Sequence, residues 1–346
     1  MDWFFWVKNF IWGTQGNDVL YGSNDADLIR GWDGNDWLYG KRGDDWIIGG
    51  DGDDHIYGGS GFPLELSYGD GNDHLYGGKG KDHLYGENGH DYLDGGDDDD
   101  YISGGKGDDV AYGGGGHDEI FGGNGDNYLF GDEGNDTING GDDDDTIKGG
   151  VGNDILIGDE AMFGEGGSDE IYGGLGNDTI EGRGGADRIS GGAGRDTIDG
   201  GGGNDWMIGG NGGDYIYGSG GDDFLSGDEG DDVLCGGYSV EIFQTTTLTV
   251  LSPQPGAFHC LSYSAPTNDY GSDTMHGGGG NDTFIYYSSG IKIGDLVDGF
   301  LVMTKGIGGG MDVIDDFTQG EDVIMLDYYG ITDFSDLSLG SDSDGN

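Results

Sequence analysis

From Gly13 onward the chain falls into units of nine: "GTQGNDVLY", "GSNDADLIR", "GWDGNDWLY", "GKRGDDWII" and "GGDGDDHIY". The eighth place of each unit is apolar. Leu20, Ile29, Leu38, Ile47 and Ile56 open the series, Ile198, Met207, Ile216, Leu225 and Leu234 are late members, and Ala111 is the smallest. Alternate side chains of a strand face opposite sides. The eighth residue therefore points into a core, and the seventh and ninth point out. Each unit predicts a glycine-rich turn over its first six places and a strand over its last three. One apolar residue in nine cannot bury a face alone, so successive units must stack.

The sixth place is as regular as the eighth, but acidic. It runs Asp18, Asp27, Asp36, Asp45 and Asp54, slips by one residue in "GGSGFPLELSYGDGNDHLY", and resumes at Asp73. It continues through Asp82, Asp91, Asp100, Asp109 and Asp118, has Asn127 in the next slot, and returns with Asp136, Asp145 and Asp154. After a short insertion, "GDEAMF", come Asp169, Asp178, Asp187, Asp196, Asp205, Asp214, Asp223 and Asp232. Asp273 and Asp282 close the set beyond a long interruption. In the runs "DDDD" at 97–100 and 142–145 only Asp100 and Asp145 are in register; the others read as solvated carboxylates.

Composition sharpens the picture. The chain has 346 residues, 84 of them Gly, with 69 Asp plus Glu against 13 Lys plus Arg, a net charge of −56. Such a chain repels nucleic acid and anionic membranes and attracts cations. Charge and glycine at this level ordinarily give disorder, unless a ligand neutralises the carboxylates. Calcium suits the pattern: it takes six to eight oxygens from carboxylates and backbone carbonyls. Glycine turns aim carbonyls freely because glycine tolerates positive φ. Ligands drawn from successive units would staple them, so that binding free energy becomes folding free energy. At Asn127 the slot loses a charge and keeps an oxygen, which weakens it.

The repeat G-G-x-G-x-D-x-U-x resembles that of the repeats-in-toxin, or haemolysin-type calcium-binding, family. The resemblance covers residues 13–236 and 268–286 in about two dozen copies. It implies an all-β fold, a parallel β-roll (a right-handed parallel β-helix) of about twelve 18-residue coils with terminal caps. It also implies several Ca2+ ions between adjacent coils, held at the sixth-place aspartates.

The flanks predict caps and interruptions: an apolar N-terminal cap at 1–12, the roll at 13–236, an irregular insertion at 237–267, last repeats at 268–287, and a loop with a C-terminal cap at 288–346. "WFFWVKNFIW" at 3–12 suits a cap, with docking against another molecule as the alternative. At about twelve residues the N-terminal stretch is too short to span a bilayer, which needs roughly twenty, and it lacks the marks of a secretory signal. "MDVIDDFTQGEDVIML" resembles the segment that follows the repeats in type I-secreted proteins, through Asp312, Ile314, Asp316, Phe317, Gly320, Asp322, Ile324 and Leu326. The tail "GSDSDGN" departs from that pattern. Cys235 and Cys260 are too few for a disulfide framework; one bridge and two free thiols are both open.

No H-E-x-x-H, G-x-S-x-G, Walker or EF-hand spacing occurs. The seven histidines show no ligand spacing and read as solvated. Tyr21, Tyr39, Tyr57 and Tyr76, at ninth places, are expected to stack on one face, as cross-strand stabilisation or as a glycan or cell-surface contact. The sequence thus points to a secreted, calcium-binding structural protein without catalysis, self-associating into a filament or surface layer. The alternative is the folding and export module of a type I-secreted enzyme or toxin.

Overall fold

The computed structural model describes residues 7–59, 71–160 and 166–236 in full, and strand backbones at Thr274–His276, Thr283–Tyr286, Lys292–Val297, Phe300–Thr304, Met311–Ile314 and Val323–Leu326. The strands are longer and the turns shorter than the periodicity predicts. A typical repeat forms a six-residue strand, such as Tyr92–Asp97, Tyr101–Lys106 or Val110–Gly115. The strand occupies places seven to nine and runs on through places one to three of the next unit. Only places four to six turn. The glycines at places one and two are not turn residues. Both lie within the strand, and the second-place glycine pairs across the sheet, as Gly105 does with Gly123, with φ of +112° at Gly105 bending the strand there.

Successive strands alternate between two sheets, and each pairs in parallel with the strand one coil away. Tyr101, for example, lies opposite Glu119 on one side and His83 on the other. The result is an all-β parallel roll of about 12 coils, with 16 strands in one sheet and 14 in the other among the described residues. The core is one continuous cluster of eighth-place residues from Ile29 to Leu234, contributed alternately by the two sheets and each almost fully buried, including Ala111. It is flanked at both edges by buried sixth-place aspartates.

The register survives both short insertions. Trp46 pairs with His74, and Thr146 with Glu170. At the second insertion the buried Asp159 accepts hydrogen bonds from the N–H groups of Gly167 and Gly184, each at 2.9 Å. Arg183 adds a clamp by donating to the carbonyls of Asp159 and Glu160.

At the far end Met311–Ile314 and Val323–Leu326 extend the two sheets in parallel, so the segment read as a C-terminal cap adds a coil. Lys292–Val297 and Phe300–Thr304, expected as loop, form an antiparallel pair beside Met311–Ile314. At the near end Asn9–Trp12 opens one sheet by pairing with Asp27–Arg30. Residues 1–6, 237–273 and the tail after 326 lie outside the described residues. Cys235 is disulfide-bonded; Cys260, the chain's other cysteine, lies outside them. Among the described residues no helix is long and apolar enough to cross a membrane.

The outer faces carry stacked rings. Tyr21, Tyr39, Tyr57 and Tyr85 stack in sequence, with centroids 4.9, 5.0 and 4.8 Å apart and planes within 10°. Tyr76, expected in this file, lies on the opposite sheet, where it pairs with Ile48. The insertion after Tyr57 lengthens one unit without adding another, so Tyr76 belongs to the very next repeat and faces the other way. Beside the tyrosines, Trp37 stacks on His55 at 4.2 Å and His55 on His83 at 4.6 Å.

Candidate metal centres in the two turn rows

Each turn is set by its fourth, fifth and sixth places. Gly116, at a fourth place, has φ of +154°, and a methyl group built on it would lie 2.2 Å from the carbonyl oxygen of Asp98 one coil back. Backbones therefore approach where only glycine fits. The tight turn swings the sixth-place side chain inward, under the edge of the sheets.

Hydrogen bonds string these aspartates into two rows. Along one edge the backbone N–H of each donates to Oδ1 of the next: Asp18, Asp36, Asp54, Asp82, Asp100, Asp118, Asp136, Asp154, Asp178, Asp196, Asp214, Asp232. Along the other the order is Asp27, Asp45, Asp73, Asp91, Asp109, Asn127, Asp145, Asp169, Asp187, Asp205, Asp223. The links measure 2.6–3.0 Å and span both insertions. Asp273 and Asp282 lie outside the described residues.

Oδ1 is thus committed to the ladder, and Oδ2 is not. It is buried without a hydrogen-bond partner at Asp36, Asp45, Asp54, Asp73, Asp82, Asp100, Asp109 and Asp118. The same holds at Asp136, Asp145, Asp154, Asp169, Asp178, Asp187, Asp196, Asp205 and Asp214. Each of these oxygens faces a cradle left by the first-place glycine. A methyl group on Gly113 would lie 2.4 Å from Asp118 Oδ2 and 2.9 Å from the carbonyl oxygen of Gly131. On Gly191 it would lie 2.4 Å from Asp196 Oδ2 and 2.7 Å from Gly209 O. Two acceptor oxygens from adjacent coils converge there. An orphaned buried carboxylate oxygen is costly unless it is protonated or meets a cation.

The electrostatics agree. Burial pushes the Asp73 carboxyl up to about 9, and Asp45, Asp82, Asp100, Asp109, Asp145 and Asp187 up to about 8. The N–H bond to Oδ1 pulls the other way, and row neighbours such as Asp27 beside Asp45 add to the rise. Among the described residues no three His, Cys, Asp or Glu side chains converge. A cation in these cradles would be held by one carboxylate per coil and by backbone carbonyls. An all-oxygen donor set of this kind fits a hard cation such as calcium, not a thiolate- or imidazole-seeking one.

Sequence reasoning missed a second ladder at the fifth place. There the side chain accepts from the N–H of its counterpart one coil on: Asn135 from Asn153 at 2.7 Å, Asn153 from Asn177 at 2.7 Å, Asn177 from Arg195 at 2.7 Å. Nδ1 of His90 and His117 serves in the same way for Asp108 and Asn135, so these histidines are built into the turns. The signal was present as the recurrence of Asn, Asp, His and Ser at fifth places. Among the described residues, Asp18, Asp27 and Asn127 stand apart. Asp18 Oδ2 accepts from the N–H and hydroxyl of Thr14, and Asp27 Oδ2 from the N–H of Ser23. Asn127 carries an amide.

No curated protein matches the chain. A four-copy family model, the RTX calcium-binding nonapeptide repeat, matches residues 8–38, 33–62, 67–102, 94–129, 130–161, 163–198, 181–216, 208–237 and 269–285. These matches cover most of the roll and fall on the same turns whose carboxylates line up in two rows. The chain belongs to the RTX calcium-binding nonapeptide repeat family.

Proposed function

We propose that the sixth-place aspartates with orphaned Oδ2 atoms are the calcium ligands, together with carbonyls of the first-place glycines, and that the protein is an extracellular structural roll that folds on calcium. The single observation that carries this is the repeated orphan oxygen facing a second oxygen across the coil boundary. Calcium neutralises those carboxylates when bound. The chain's own part is to hold Oδ1 in the ladder, so that Oδ2 is already aimed when an ion arrives. A net charge of −56 opposes compaction until cations bind. The disulfide at Cys235 suits an oxidising compartment outside the cytosol.

The work of such a roll is structural, with self-association into a filament or surface layer. On the sheet bearing the tyrosine file, the seventh and ninth places from Val19 to Ser103 carry no Asp, Glu, Lys or Arg, in a chain with 69 acidic residues; the charges beside the file stand at second places, Lys41 and Glu87. The rings lie face to face, so ring edges rather than ring faces meet solvent. Sugars dock on ring faces, so this favours protein association over glycan binding. A second role, as the folding module of a type I-secreted enzyme, is supported by the coil formed at Met311–Ile314 and Val323–Leu326, whose sequence resembles the segment after such repeats.

A calcium titration followed by circular dichroism and light scattering tests the proposal. Strand signal and large particles rising together support the assembling roll. Strand signal with monomers supports the module. No response to calcium overturns both.

A further inference from the structure

The Asn127 turn shows what the other turns lack. Asn127 Oδ1 accepts the N–H of Asp109 at 3.0 Å, as an aspartate would, which fixes the orientation of the amide. Its Nδ2 then points into the cradle and donates to the carbonyl of Gly125 at 2.9 Å and to that of Gly140 at 3.4 Å. A methyl group on Gly122 would lie 2.6 Å from this nitrogen and 2.4 Å from Gly140 O. In the ordinary turn at Asp136 the same construction on Gly131 meets Oδ2 at 2.4 Å and Gly149 O at 2.6 Å. An amide donor therefore stands where elsewhere an orphaned oxygen stands. Its hydrogens meet the carbonyls that a cation would otherwise meet.

The first coil reaches the same end by another route. Second-place glycine is replaced by Thr14 and Ser23. Their N–H groups, with the Thr14 hydroxyl, cover Oδ2 of Asp18 and Asp27. Asn9 lies one coil before Asp27, and its Nδ2 donates to Asp27 Oδ1.

We infer that three turns of this roll close without a cation: the Asn127 turn through its own amide, and the Asp18 and Asp27 turns through donors from Thr14 and Ser23. The inference rests on the calcium reading of the remaining turns and deepens it. The first coil becomes a pre-satisfied end onto which calcium-bound coils stack. Asn127 splits one row of ions into a block from Asp45 to Asp109 and a block from Asp145 to Asp223.

Native mass spectrometry of the full chain with calcium alone resolves ions one at a time, since each replaces two protons. Asn127→Asp is expected to raise the saturated count by one. Asp136→Asn, which copies the Asn127 arrangement into an ordinary turn, is expected to lower it by one. The double variant Asp18→Asn, Asp27→Asn is expected to leave it unchanged. If the protein binds calcium but Asn127→Asp and Asp136→Asn both leave the count unaltered, the amide account is wrong while the calcium reading stands. A count lowered in the double variant overturns the account of the first coil. If the unaltered protein binds no calcium, both the inference and the reading beneath it fail. Should Asn127→Asp not fold, Asp136→Asn decides the question by itself, because it adds a donor and removes a charge.

Discussion

The backbone N–H of Asp100 donates to Oδ1 of Asp118 at 2.8 Å, and Oδ2 of that same Asp118 is buried with no hydrogen-bond partner. One carboxylate thus has two tasks. One oxygen registers adjacent coils, and the other waits at the turn. The two tasks separate by substitution. Asp118→Asn keeps the ladder acceptor and loses the charge. Asp118→Ala loses both and strands the Asp100 N–H. Both are expected to raise the calcium concentration at the folding midpoint. In saturating calcium the alanine variant is expected to lose about 1–3 kcal/mol more, the cost of a buried unmet donor. Urea melts of the two variants side by side measure this, and equal stability would mean that the ladder bond contributes nothing.

A pH dependence follows from the buried carboxyls. An unfolded aspartate titrates near 3.9. In the folded, metal-free roll burial raises Asp118 to about 6, Asp54 to about 7, Asp100 to about 8 and Asp73 to about 9. The folded state therefore binds more protons than the unfolded one. Its stability is greatest below the unfolded value and is lost as pH rises through the folded values, from about 6 to about 9. In chelator, strand signal is expected to grow as pH falls from 9 to 5. With calcium the direction reverses, because ions and protons compete for the same oxygens, so the calcium midpoint is expected to rise on acidification. Dichroism with and without chelator across this range checks both directions.

Much of this was legible in the sequence, for one reason: the repeat makes every contact many times over. The eighth-place core and the sixth-place rows follow from period nine alone. What escaped depends on geometry that period does not encode. Gly105 could not be read as a strand residue, because glycine runs suggest turns and only pairing with Gly123 keeps the strand going. Tyr76 was assigned to the wrong face because a length change in one unit looks like a change in unit count. Asn127 was read as a weakened ligand. Its second atom, a donor rather than an oxygen, matters only once Gly125 O and Gly140 O are known to face it.

Neighbouring glycines differ sharply in what they tolerate. Gly116 holds φ of +154° with a carbonyl 2.2 Å from any added methyl, whereas nothing lies within 4 Å of one on Gly115, which has no positive φ. Gly116→Ala is expected to destabilise the calcium-bound roll by about 3 kcal/mol or more, because backbone must move. Gly115→Ala is expected to be neutral or stabilising by up to about 1 kcal/mol, through the unfolded state. Thermal melts in calcium would separate them, and equal losses would show that the turn is more pliable than its geometry implies.

The ring file gives a stability effect independent of calcium. Tyr57 stacks on Tyr39 at 5.0 Å and on Tyr85 at 4.8 Å. Tyr57→Ala removes both contacts and is expected to cost about 1–3 kcal/mol, at about 0.5–1.5 for each aromatic pair. Its saturated calcium count should stay the same, since Tyr57 stands at an outward place of its strand and is not one of the row residues. A changed count in native mass spectra would mean that the outer faces and the turns are coupled.

Ion choice provides the last test of the turns. Their donors are carboxylate and carbonyl oxygens on a backbone that bends through glycine, and they come from two coils whose separation is fixed by the sheets. Calcium accepts six to eight such oxygens at about 2.3–2.6 Å in variable geometry. Magnesium demands an octahedron at about 2.0–2.1 Å and gives up its water reluctantly. The sheets cannot draw two coils closer to suit the smaller ion, because the core residues from Ile29 to Leu234 are already packed in one continuous cluster. After chelation, millimolar calcium is expected to restore the strand signal, and magnesium at the same concentration is expected to leave it mostly absent. Restoration by both ions alike would show that charge neutralisation alone folds the chain, and that the cradles at Gly113 and Gly191 select nothing.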